Sequence, residues 1–362
     1  MNLATLIPFS SWSVLTADFL IVLHLTIGGV TLAAILHLAS AKWRYVVRDI
    51  AVSLFALYPL AFVLLVILLL ARHNVFPWMG VHAAAGEHEH ALNAWHNPVF
   101  FAARQILAFL FVGWLYRRFI RLQAVSERSE ADWERFKMTA NFIPVTHVLY
   151  ATMVAWDFEM TMVPSWESSV YGIYHFVSNF GMFLSTMVVI CYLLDRRKLF
   201  VKPFPEIIYN YFAQMMLAFT ILWTYLYFAQ YLTIWYGNLP EERNRIDNMA
   251  TGDYSALWWS FFALKFVIPF CLLVFTYFRH SPVSVFRIGL IIIAGTWLER
   301  FTWIAGSVPT SDFVRAQFPF THVFDVVVTL LVLFTAVALV RRGLARNEVT
   351  RAGVGGARMQ TV

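Results

Sequence analysis

Acids, bases and imidazoles recur inside runs of this chain that are otherwise apolar: Asp18, His24, His37, Arg104, His147, Asp157, Glu159, His175, Lys265, Glu299, Arg300, His322 and Asp325. An ionisable side chain at hydrocarbon depth is costly and usually faces a bundle interior, so each is a candidate for function. Spacing sorts them. Tyr150 follows His147 by three residues and Asp157 follows Tyr150 by seven, which places all three on one broad helical face. Imidazole titrates near neutrality and a half-buried carboxyl is pushed up toward it, so such a ladder suits proton movement. The same groups would serve a quinol head group, whose hydroxyls need proton acceptors as they are oxidised. The first candidate set is therefore His147, Tyr150 and Asp157, with Glu159 beside them and His24 opposite. Lys265, Glu299, Arg300 and Asp325 form a second set, which could instead be an inert paired network that fixes helix register. His175 and His322 stand near helix ends and read as interfacial.

These residues need helices to hold them. Of 362 residues, 60% are hydrophobic and 13% charged, against roughly 25% charged in soluble domains. Apolar runs of spanning length occur at about 13–40, 49–71, 99–119, 141–163, 169–194, 206–236, 255–279, 283–306 and 320–340. The expected fold class is an all-α polytopic membrane protein of about nine transmembrane helices. On that register, Asp157, Glu299 and Lys265 fall roughly 9, 10 and 15 Å from the outer ends of their helices, at a rise of about 1.5 Å per residue. The first run lacks a basic flank and is too long for a signal-peptide core, so it reads as a retained helix.

With the N-terminus outside, twenty Lys and Arg fall on the cytoplasmic side and only Arg72, Arg243, Arg245 and Arg315 on the other, as the positive-inside rule requires. The net charge of +6 is then topology and attraction to lipid headgroups, with no need for nucleic acid as a partner. Residues 1–340 read as a single transmembrane domain and 341–362 as a basic, disordered cytoplasmic tail. Residues 120–140 read as a charged cytoplasmic connection, and Glu241-Glu242-Arg243 as a solvated turn after a helix stopped by Gly237 and Pro240. Trp235-Tyr236 and Trp258-Trp259 are expected at the outer headgroups.

No metal or haem is expected on this chain. Cys191 and Cys271 lie inside predicted helices, far from any haem-attachment or iron–sulfur spacing. His24 and His37 would need matching histidines on a second helix to hold haem b. The run with His82, Glu87, His88, Glu89, His90 and His96 reads as a solvated loop.

Two stretches carry a family resemblance. MVAWDFEMTMVPSWESSVYGIYHF (153–176) resembles a Phe-Asp-Trp…Pro-x-Trp-x-Ser-Thr-x-Tyr-Gly-x-Tyr signature. LAFTILWTYLYFAQYLTIWYGNLPEE (217–242) resembles a Trp-x-Tyr…Ser-Gln-x-Leu-x-Ile-Trp-x-Gly-Asn-Leu-Pro-Glu-Glu signature. Both are similar to the ActF subunit of bacterial alternative complex III, a quinol:electron-acceptor oxidoreductase, within the NrfD-like (polysulfide-reductase-like) membrane subunits. The likeness continues through LWWSFFALKFVIPFCLLVF and TWLERFTWIAGSVP.

The resemblance implies a pair of four-helix bundles plus a peripheral helix in a bacterial inner membrane. It also implies a second NrfD-like subunit as neighbour, and partners that carry haem c and iron–sulfur clusters. The chain would supply a proton path and a possible quinone pocket, and would not be catalytic alone; the partner membrane subunit is the better candidate for the working quinol site. Two departures stand out: the family usually has a further N-terminal span, not seen before residue 13, and Glu159 is an extra acid close to the signature's Asp157. Rival expectations are a structural anchor of such a complex and a stand-alone secondary transporter, although neither internal repeat nor midplane helix break is evident.

Overall fold

The computed structural model describes residues 7–81, 94–200, 204–307 and 318–350. These residues are nearly all helical, with no strand among them, and an isolated bridge joins Phe200 to Thr350. The long helices are α1 (Phe9–Leu38), α2 (Arg44–Leu70), α3 (Pro98–Val125), α4 (Glu130–Phe158), α5 (Tyr171–Arg196), α6 (Ile207–Gly237), α7 (Ser255–Leu273), α8 (Pro282–Ala305) and α9 (Val323–Arg346). Eight of them are long and apolar enough to cross a membrane, so this is a multi-pass membrane protein. The exception is α4, whose first turns carry Glu130, Asp132, Glu134, Arg135 and Lys137; it nevertheless packs along α1, α3 and α5.

Several expected boundaries move, for one reason. Arg, Glu, Lys and Ala are good helix formers, so a helix continues where apolarity ends. The connection expected over 120–140 is mostly helix, and the chain reverses within 126–129, where the Ser129 hydroxyl accepts the Asp132 N–H at 3.2 Å and caps α4. At about 1.5 Å per residue, α3 and α4 each run about 42 Å, longer than a hydrocarbon layer of about 30 Å. Helix α9 likewise continues to Arg346, so the stretch read as a disordered tail begins as helix; 351–362 lie outside the described residues. The turn expected after α6 is instead a helix, Pro240–Ala250, entered through Asn238 in the left-handed region at φ 50°.

The helices close into two groups. In one, α1 through α4 form a ring of neighbours; in the other, α5 through α8 do. The groups meet along α1, which touches α5 and α8, and along α4 against α5. Helix α9 lies outside, against α1 and α2. Burial follows that plan: the most apolar window of α1 is 83% buried and that of α9 only 11%, so α1 is the shared axis and α9 faces lipid or another chain.

Two helices are locally rewound beside prolines. In α2 a 3-10 turn, Leu54–Leu57, precedes Pro59, whose ring cannot follow a regular turn. In α7 a π-turn, Ala263–Val267, precedes Pro269, which has no N–H for the Lys265 carbonyl. Gly295 on α8 faces that π-turn, and a Cβ there would lie 2.8 Å from both Leu264 Cβ and Lys265 Cγ. A glycine is needed for the two backbones to approach so closely.

Candidate functional site

The π-turn points Lys265 into the interior of the second helix group, among α5, α6 and α8. There its ammonium donates to Glu299 Oε2 and to the Ser178 hydroxyl, both at 2.5 Å, and lies 4.6 Å from the centre of the Trp223 ring. Glu299 also accepts from Ser178 (2.6 Å), Trp223 Nε1 (3.0 Å) and the Tyr174 hydroxyl. One residue along α8, Arg300 Nη1 donates to both oxygens of Glu159 at 2.7 Å, and its Nη2 stands 2.8 Å from Glu299 Oε1. Tyr171 donates to Glu159 Oε2 at 2.7 Å. Two carboxylates, a guanidinium and an ammonium thus balance in charge, all of them buried.

His175 connects this cluster to the centre of the protein. Its Nδ1 stands 2.8 Å from Glu159 Oε2 and 2.7 Å from Arg300 Nη1, while its Nε2 stands 2.8 Å from His24 Nε2. The carboxylate can only accept and the guanidinium can only donate, so the two Nδ1 contacts call for opposite tautomers. With Nδ1 protonated, His175 donates to Glu159 and accepts from His24. With Nε2 protonated, it accepts from Arg300 and donates to His24. Passing from the first to the second hands the Nδ1 proton to Glu159 while Nε2 takes the His24 proton, and His24 must then be reprotonated at Nδ1.

Beyond His24, the His147 ring lies 6.0 Å away centre to centre and nearly parallel. Stacked rings do not share an in-plane hydrogen bond. His147 Nδ1 contacts the Thr31 hydroxyl at 2.8 Å, and Thr31 meets the Tyr116 hydroxyl at 3.2 Å. Three buried polar atoms in this middle section, His24 Nδ1, His147 Nε2 and the Tyr150 hydroxyl, have no hydrogen-bond partner among the described residues.

Of the residues chosen from sequence, the structure brings Glu159, Lys265, Glu299 and Arg300 into one cluster, with His24 joined to it through His175. Asp157 goes elsewhere. It is two residues from Glu159 but on the opposite side of the helix end, where it accepts from Arg104 Nε (2.8 Å) and Nη2 (2.5 Å), Gln105 Nε2 (2.5 Å) and Trp95 Nε1 (2.8 Å). Asp157, His147 and Tyr150 therefore share a helix without sharing a hydrogen-bonded site. Asp325 does not join Glu299 and Arg300; it is buried beside Asp18, which accepts from Trp297 and Thr329 at 2.7 Å each, and neither oxygen of Asp325 has a partner among the described residues. His37 packs edge-on against Trp133 and Phe136, and His322 caps α9.

His175 is the correction of most consequence, because it is fully buried and not interfacial. A lid covers it. The helix Pro240–Ala250 sends Arg245 back over the cluster, where Nη2 donates to the carbonyl of Glu159 and the hydroxyl of Ser307 at 2.7 Å each, and the guanidinium lies 4.3 Å from the Trp166 ring. Burial lowers the Arg245 guanidinium to about 10, against raising pulls from Tyr171 and Glu159, so it stays charged at neutral pH. Trp258, expected at the headgroups, is buried 5.7 Å from Trp303 in the same lid, whereas Trp235, Tyr236 and Trp259 are exposed. The sequence signal for such a lid is the density of Trp and Tyr in 166–174 and 254–259.

Among the described residues no group of three or more His, Cys, Asp or Glu is placed to hold a metal ion. The histidine-rich run falls in 82–93, outside the described residues, apart from His96, which is buried. No known protein-family model and no curated protein matches the chain.

Proposed function

We propose that the chain is the ActF-like, NrfD-type membrane subunit of an alternative complex III-like quinol:electron-acceptor oxidoreductase in a bacterial inner membrane. In this reading it spans nine times, with α4 as the ninth span, and it supplies a proton path to redox partners carrying haem c and iron–sulfur clusters. The arrangement of α1–α4 and α5–α8 with α9 outside agrees with the paired four-helix bundles that the resemblance implies. The stretches that carry the resemblance also build the cluster: 153–176 contributes Glu159, Tyr171, Tyr174 and His175, 217–242 contributes Trp223, and the segment around 296–309 contributes Glu299 and Arg300.

The observation that carries the proposal is the buried line Glu159, His175, His24, His147, Thr31, Tyr116. Its first steps are direct contacts, and His175 Nδ1 stands within hydrogen-bond distance of both an acceptor, Glu159, and a donor, Arg300. The interval from His24 to His147 is crossed by a water or by ring rotation. The pairing of Lys265 with Glu299 offsets both charges beside Glu159, which exchanges its proton with His175.

The test is His24→Gln in the assembled complex. An amide cannot relay a proton as imidazole does, so turnover or proton translocation should fall by at least about tenfold, with subunit content and haem spectrum unchanged. Full turnover and unchanged proton stoichiometry in an intact complex would remove the proton path. Purification of the native protein without haem c and iron–sulfur partners would remove the assembly. A structural-anchor reading draws on the complete pairing around Glu299; it expects His24→Gln to lower stability and spare turnover.

A further inference from the structure

We infer that the groove between α2 and α3, at the end of the bundle richest in arginine, binds an anionic phospholipid. On α3, Leu110, Trp114, Arg117 and Arg121 follow one another at i, i+4, i+7 and i+11, a single helical stripe, with Arg118 beside it. The stripe passes from apolar through aromatic to cationic, in the order in which a phospholipid passes from acyl chain to phosphate.

The groove is real space. A cavity of about 640 Å³ is bounded by these residues and by Tyr58 and Gly113. Its floor depends on Gly113: the Tyr58 hydroxyl donates to the Phe109 carbonyl, and a Cβ at position 113 would fall 2.1 Å from that hydroxyl oxygen. Leu110 and Trp114 are 53% and 57% exposed, with the Arg118 guanidinium 5.8 Å from the centre of the Trp114 ring, so their open faces are available to acyl chains.

Depth and charge select the ligand. From Pro98, the first residue of α3, to Arg117 is about 28 Å of helix, close to the hydrocarbon thickness of about 30 Å. Arg117, Arg118 and Arg121 therefore stand at headgroup level. No acidic residue lines the cavity, and among the described residues none of the three arginines makes an ion pair. Arg48, by contrast, reaches Glu127. Three unneutralised guanidinium groups above an apolar slot suit a phosphodiester with no cationic headgroup.

The experiment titrates the full chain in nanodiscs with phosphatidylglycerol or phosphatidylcholine bearing brominated acyl chains, and reads the fluorescence quenching lost on Trp114→Phe. Half-quenching should need about tenfold less phosphatidylglycerol than phosphatidylcholine. The triple change Arg117→Gln, Arg118→Gln, Arg121→Gln should abolish the preference without moving the thermal midpoint. Equal quenching by both lipids, or a preference that survives the triple change, overturns the inference. Competition by inorganic phosphate at the lipid's concentration would make it a free-anion site. Photocrosslinking from position 114 to a polypeptide in native membranes would assign the groove to a protein partner.

Discussion

Arg104 and Asp157 show what a buried charge costs once its partners are fixed. Both oxygens of Asp157 are fully engaged by donors, so Asp157→Asn would turn an amide N–H toward Arg104, Gln105 or Trp95. Unfolding in detergent should show a loss of about 3–5 kcal/mol, with turnover per folded complex unchanged, and Arg104→Met combined with Asp157→Leu should recover part of it. Tyr150 is the opposite case. Its hydroxyl has no partner among the described residues, so Tyr150→Phe should change stability by less than about 1 kcal/mol; slowed proton transfer at unchanged stability would place it on the path. Which residues were buried and ionisable could be read from the apolar runs around them. Which of them meet could not: Asp157 and Glu159 are two apart yet belong to different clusters, because α4 ends at Phe158 and the 3-10 turn Met160–Met162 redirects the chain.

At the scale of elements, the π-turn of α7 aims Lys265, and Gly295 admits it. Gly295→Ala puts a methyl against Leu264 and the Lys265 stem, and overpacking of this kind costs about 1–3 kcal/mol; thermal unfolding should register it, and a larger loss with Gly295→Val would follow. Removing Arg245 should loosen the lid: Arg245→Ala strips three buried acceptors, the Glu159 and Trp303 carbonyls and the Ser307 hydroxyl, and the stack on Trp166, a cost of about 2–4 kcal/mol, readable as faster hydrogen exchange across 159–175. The lid also explains the misplacement of His175. A position five residues into a helix normally lies near water, and the apolar pattern of α5 carries no sign that 160–170 and Pro240–Ala250 fold back over it. The 3-10 and π-turns are half legible, since Pro59 and Pro269 mark where a regular helix must fail without saying how.

For the whole molecule, helix existence was the most legible quantity, because lipid demands long apolar runs; helix ends were the least, because polar helix formers extend past the hydrocarbon without changing hydropathy. Orientation rests on the basic residues and can be measured. In a Cys271→Ala background, with Cys191 buried, Asn244→Cys should react with a membrane-impermeant maleimide in whole cells, and Arg196→Cys only after lysis. The reverse pattern would invert the protein.

The α3–α4 hairpin outruns the hydrocarbon by about 12 Å at each helix. It is therefore a spacer. Any water-soluble neighbour approaching the arginine-rich face meets this stiff post before it meets the membrane, and is held at a stand-off of roughly two helical turns, with room beneath it for ions and small solutes to reach the bundle mouth.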